Sequence, residues 1–68
     1  DAFAVKVLDG ATICVEGQEA LVEIYNAAGQ KVYTATFAGT QTTGLPQGLY
    51  IVKATAADGR TATLKAAF

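Results

Sequence analysis

The chain has 68 residues, five basic and six acidic, with one cysteine and no histidine, tryptophan or methionine. This length allows one domain at most, one cysteine excludes an internal disulfide, and the lack of histidine removes the usual zinc sets. A net charge of −1 argues against a nucleic-acid footprint and against a polybasic membrane surface.

Apolar residues alternate with period two along most of the chain, which predicts strands. In FAVKVL, Phe3, Val5 and Val7 share a face opposite Lys6. In ATICVE, Ile13 and Val15 oppose Thr12, Cys14 and Glu16. LVEIY puts Val22 with Ile24 and leaves Glu23 outside. QKVYTATF carries Val32 inward, with Lys31 and Tyr33 on the other face. TQTTG, around Thr42, is a short further candidate. GLYIVKA sets Tyr50, Val52 and Ala54 against Leu49, Ile51 and Lys53. RTATLKAAF aligns Ala62, Leu64, Ala66 and Phe68, with Thr61, Thr63 and Lys65 outside.

Turn residues punctuate these runs: Asp9-Gly10, Glu16 to Glu19, Asn26 to Gly29, Pro46-Gln47-Gly48 and Asp58-Gly59. Spacing of about 8–12 residues between such signals is that of small sandwiches and barrels. The expectation is seven short, mostly antiparallel strands in two packed sheets. Asn26 suits the first position of a type I turn, where its side chain bonds the backbone further on. Gly29 suits the positive φ of a G1 bulge, and Ala56 to Gly59 repeats the pattern. A domain this short hides only about 60% of its unfolded surface, so it is expected to lean on a neighbouring domain or partner chain.

Side chains that carry chemistry are few. The carboxylates Asp1, Asp9, Glu16, Glu19, Glu23 and Asp58 fall in turns or on outward positions and read as solvated surface. No calcium loop is spelled out. Cys14 lacks the base a nucleophilic thiol needs. The glycines form no phosphate loop. Tyr25, Tyr33 and Tyr50, with Phe3, Phe37 and Phe68, offer either core aromatics or a sugar-stacking platform. Tyr25 and Tyr33 are expected to pair across strands on the outer face. Open edge strands offer strand addition or dimerisation. No catalytic, cofactor or metal set emerges, so an independent enzyme is not expected. No run approaches the roughly 20 apolar residues of a membrane span, and the opening residues do not read as a signal peptide, so any such address is expected upstream. A chain beginning at Asp1 is read as a piece of a longer or processed protein.

Three blocks, VEIYNAAGQKVY (22–33), LPQGLYIVKAT (45–55) and DGRTATLKAAF (58–68), resemble in this order and spacing the C-terminal sorting domain of the type IX secretion system of Bacteroidota. Val22, Ile24, Tyr25, Asn26, Gly29, Gln30 and Val32 match the first block of that family. Leu45, Gly48, Tyr50, Ile51, Val52 and Lys53 match the second, and Asp58, Gly59 and Lys65 the third. The family's frequent upstream Tyr-Pro-Asn-Pro segment is replaced by DAFAVKVLDG, and AAF follows Lys65 where many members carry an apolar pair and a further basic residue.

The resemblance implies an Ig-like β-sandwich of about seven strands over residues 1–68. It implies a sorting signal that follows a cargo domain in the same chain, passes through the periplasm and is recognised by the outer-membrane translocon. A surface sortase usually removes the domain, with cleavage at or before residue 1, and the cargo ends on the cell surface or is secreted. Tyr25, Asn26, Gly29, Gly48, Tyr50, Gly59 and Lys65 are the landmarks it assigns here, with Lys65 the expected direct contact. The alternative is an Ig-like accessory, adhesion or carbohydrate-binding module of a surface protein.

Overall fold

The computed structural model describes residues 3–8 and 11–68. Among these residues there are five strands and no helix: β1 (Ala4–Leu8), β2 (Thr12–Asn26), β3 (Lys31–Thr42), β4 (Leu49–Ala56) and β5 (Thr61–Ala67). All pair antiparallel in one sheet of order β1-β2-β4-β5, with β3 on β2. The Asp9-Gly10 turn and the carboxylates of Asp1 and Asp9 lie outside the described residues.

The all-β class and the antiparallel pairing agree with the alternation pattern, but the strand number does not. The runs expected at 11–16 and 21–25 are one strand, β2, and those at 30–37 and 40–44 are one strand, β3. Glu16 to Glu19 make no turn. Val15 pairs with Gly39 and Ala20 with Phe37, so four residues of β2 oppose Ala38 alone. This is a large bulge, and Gly17 (φ +98°) and Gly39 (φ +88°) supply its left-handed backbone. Glycine permits a turn and a bulge equally, so the sequence signal is shared by the two outcomes.

The bulge decides which side chains face inward. Val15 and Ala20 are an odd number of residues apart and on a regular strand would face opposite sides. Both are buried, because the extra residues return β2 to the same face. Bulges also bend a strand and raise its twist. β1 pairs with β2 along 12–16 and β4 along 20–26, while β3 follows both halves. Bent in this way, the sheet curls until β1 touches β5. The result is one curled sheet, not the two separate sheets expected.

Its inner face is the core. Ile13, Val15, Val22, Ile24 and Val52 are fully buried, joined by Phe37, Tyr50, Ala54 and Ala66. Phe3, Val5, Val7, Leu64 and Phe68 pack against them, as the alternation predicts. Among the described residues no polar or charged residue is buried.

The two hairpin turns follow the expected chemistry. Gly29 N–H donates to Asn26 C=O (2.9 Å) and Asn26 N–H to Gln30 C=O (2.9 Å). Asn26 Oδ1 also accepts from the N–H groups of Ala28 (3.0 Å) and Gln30 (2.9 Å). In the β4–β5 turn, Gly59 N–H donates to Ala56 C=O (3.0 Å) and Ala56 N–H to Arg60 C=O (2.8 Å). Gly29 and Gly59 have φ of +86° and +93°.

Just past the first turn, one expectation reverses. Tyr25 pairs with Lys31 but Ile24 pairs with Tyr33, so Val32 is an extra residue on β3. Tyr33 therefore packs against the core and Val32 is exposed. The expected Tyr25–Tyr33 pair does not form, because the two rings lie on opposite faces.

Candidate functional site

The same registers that fill the core fix an outer face on the half of the sheet built from β4, β5, the last part of β2 and the start of β3. Tyr25 pairs with Lys31 on one side and Ile51 on the other, and Ile51 pairs with Lys65. Lys31, Tyr25, Ile51 and Lys65 thus form one row across four strands. The row toward the β4–β5 turn is Thr34, Glu23, Lys53 and Thr63. In the other direction Leu49 stands opposite Ala67.

Beside Lys65 lies a shallow open hollow of about 420 Å³, lined by Ala27, Leu49, Tyr50, Ile51 and the end of β5 from Lys65 to Ala67. Among the described residues Lys65 is its only charged lining group. Leu49 is 69% exposed, the most of the exposed large apolar residues among the described positions. An outward strand position that carries leucine or isoleucine instead of a polar residue departs from the pattern of a solvated sheet face. Leu49 is a functional candidate outside the matched family positions, and Ile51 is a matched position that was not among the landmarks. The signal was present as two large apolar residues on the outer side of the Tyr50–Val52–Ala54 alternation.

The end of the sheet below this hollow is held from inside. Tyr50 and Phe68 bring their rings to 4.8 Å, and Tyr50 OH donates to Pro46 C=O at 2.8 Å. Phe68 N–H donates to Gly48 C=O (2.9 Å) and Gly48 N–H to Phe68 C=O (3.3 Å), which extends the β4–β5 ladder.

The landmarks therefore divide by role. Asn26 and Gly29 build the first hairpin turn, Gly48 anchors Phe68, and Tyr50 is buried beneath the hollow. Tyr25 and Lys65 face outward in one row, joined by Ile51. All of these lie toward one end of the sheet. Gly59 sits at the other end, in the turn near Gln18, whose Nε2 donates to Asp58 Oδ2 at 3.3 Å.

Electrostatics on the outer face are uneven. Glu23 Oε2 accepts from Lys31 Nζ (3.2 Å) and, at 3.5 Å, from Tyr25 OH. Lys53 and Lys65 form no ion pair among the described residues. At the far turn, the Arg60 backbone N–H on the Asp58 carboxylate holds its pKa below the usual value, with Gln18 and the Arg60 side chain adding to the effect. On β1, the hydrogen bond and charge of Glu16 raise Lys6 above the ordinary lysine value.

A sugar-stacking platform is not assembled. Tyr33, Tyr50, Phe37, Phe3 and Phe68 all pack in or against the core, which leaves Tyr25 as the aromatic on the outer face. Cys14 is half-buried and unbridged, paired across strands with Lys6 and Thr40. Among the described residues no group of His, Cys, Asp and Glu is placed to hold a metal ion. The arrangement offers a face for binding, with Tyr25, Ile51 and Lys65 in one outward row beside the hollow.

The family model for the secretion system C-terminal sorting domain matches residues 7–66. No curated protein matches the chain, and no solved structure does.

Proposed function

Because the chain belongs to the secretion system C-terminal sorting domains, the family of type IX secretion, we propose that it is the export address of a cargo carried in the same chain, read as a folded β-domain through the outer face around Lys65. The cargo passes through the periplasm, the outer-membrane translocon binds the domain, and a surface sortase removes it. The cargo is left on the cell surface or released. In this reading the domain is the sortase's substrate and performs no catalysis itself.

The observation that carries the reading is the family match over residues 7–66. The face is supported by the row that puts Tyr25 and Lys65 outward on either side of Ile51, while the other landmarks stabilise turns, ladder and core. A face held by paired strands is more precise than one on a loop, and Lys65 carries a charge that the fold does not use.

The test is a reporter fused ahead of residues 1–68 in a host with type IX machinery. Export of the reporter is expected, and a reporter retained in the periplasm with the domain intact and folded defeats the proposal. Lys65→Ala is expected to lower export while stability stays within about 0.5 kcal/mol, as for surface changes generally. Unchanged export of that variant removes Lys65 from the recognition role.

A further inference from the structure

The outer face that carries Lys65 has more to recognise a partner with than one lysine. Among the described residues it holds Lys31, Lys53 and Lys65 against a single carboxylate, Glu23, on a chain whose net charge is −1. Lys31 is already neutralised by Glu23 at 3.2 Å, so the local excess resides on Lys53 and Lys65. These two lysines lie two residues apart in register, on neighbouring strands: Lys65 beside Ile51, and Lys53 between Thr63 and Glu23, whose carboxylate is already held by Lys31. Next to them are the exposed Leu49 and Ile51 and the apolar hollow of about 420 Å³.

Resting on the sorting reading, we infer that this face docks a protein segment that places an apolar side chain in the hollow beside Leu49 and sets carboxylates against Lys53 and Lys65. Filling the hollow removes apolar surface from water, which favours association. The same approach strips water from the two ammonium groups, and that is costly unless the partner supplies opposite charge. Carboxylates two residues apart on a strand, or one helical turn apart, meet this need.

Other occupants fit less well. Lipid surfaces are read by clusters of four to eight basic residues, whereas this face has three, one of them already paired. A second copy docked isologously would bring its own Lys53 and Lys65 toward the same lysines, which opposes the contact.

The experiment uses the reporter fusion and the 68-residue chain. Export by the unmodified domain tests the sorting reading alone, so failure there is separate from failure of the docking inference. Given export, Lys53→Glu with Lys65→Glu is expected to reduce it at least about tenfold, as loss of a docked charge pair does. Leu49→Ser is expected to reduce it as well. Lys53→Arg with Lys65→Arg keeps the charge and is expected to retain more export than the Glu pair. All variants should share the unfolding midpoint of the unmodified chain. Undiminished export of the Glu or Ser variants, or equal loss in the Arg variant, overturns the inference. So does co-flotation of the chain with phosphatidylglycerol vesicles that the Glu variant abolishes, which assigns the face to anionic lipid. A sedimenting dimer that Leu49→Ser dissolves assigns it to a second copy and likewise overturns the inference.

Discussion

Gly29 has φ +86°, and nothing lies within 4 Å of where its Cβ would stand. The constraint on this residue is therefore backbone handedness and not space. A β-branched side chain resists this region most, so Gly29→Val should cost about 1–3 kcal/mol. Asn visits the region more readily, and Gly29→Asn should cost less; urea unfolding of the two variants measures the difference. Gly48 makes a useful contrast, since its Cβ would meet the Tyr50 ring at 3.5 Å, an ordinary contact, with no positive φ. Asp58 gives a pH effect at this scale. Its folded pKa is lowered, so its contribution is fully present above the unfolded value of about 3.9 and is lost as pH falls through the folded value. An NMR titration should place the Asp58 carboxyl below that of an unfolded peptide spanning the same turn. Both hairpin turns were legible because Asn26, Gly29 and Gly59 act through their own backbone and near neighbours. The inversion at Val32 and Tyr33 was not, because it arises from a register shift opposite Tyr25, and nothing in Val32 itself encodes it.

At the scale of elements, the long strands β2 and β3 depend on glycines placed opposite one another's irregularities. Alternation on either side of Gly17 is plain in the sequence, with Ile13 and Val15 before it and Val22 and Ile24 after it. Whether the chain turns back there or continues through a bulge depends on whether β3 runs alongside both halves, a long-range fact that local pattern does not contain. Gly39 is where that fact can be tested. It pairs with Val15, has φ +88°, and leaves open space at the Cβ position. Gly39→Val is expected to destabilise by about 1–3 kcal/mol through the backbone alone, and Gly39→Asn by less. If the two variants unfold at the same urea concentration as the unmodified chain, the left-handed backbone at Gly39 does not hold the corner. The alternating pattern also fixed in advance the outward position of Leu49, Ile51 and Lys65. Their assembly with Tyr25 into one row required the β2–β4 and β4–β5 registers.

Across the whole molecule, one sheet does two jobs on two faces, and the jobs respond to different substitutions. Ile24 is fully buried beside Val22 and Val52. Ile24→Ala should cost about 2–5 kcal/mol from lost burial and the cavity left behind. A chain of this length has a total stability of about 3–10 kcal/mol at the usual value per residue, and its single cysteine allows no disulfide to make up the loss. The substitution should therefore lower Tm by at least about 10 °C and bring the domain near unfolding at growth temperature. If the machinery reads folded shape, export falls with Ile24→Ala because the row of Tyr25, Ile51 and Lys65 is no longer held in register. With Lys65→Ala, export falls while Tm is unchanged, since that side chain is exposed and outside the core. Measured together, export and Tm separate the two faces. Full export from an Ile24→Ala chain shown to be unfolded by circular dichroism means that the machinery reads a linear segment. In that event the sheet that aligns Tyr25 with Lys65 plays no part in recognition.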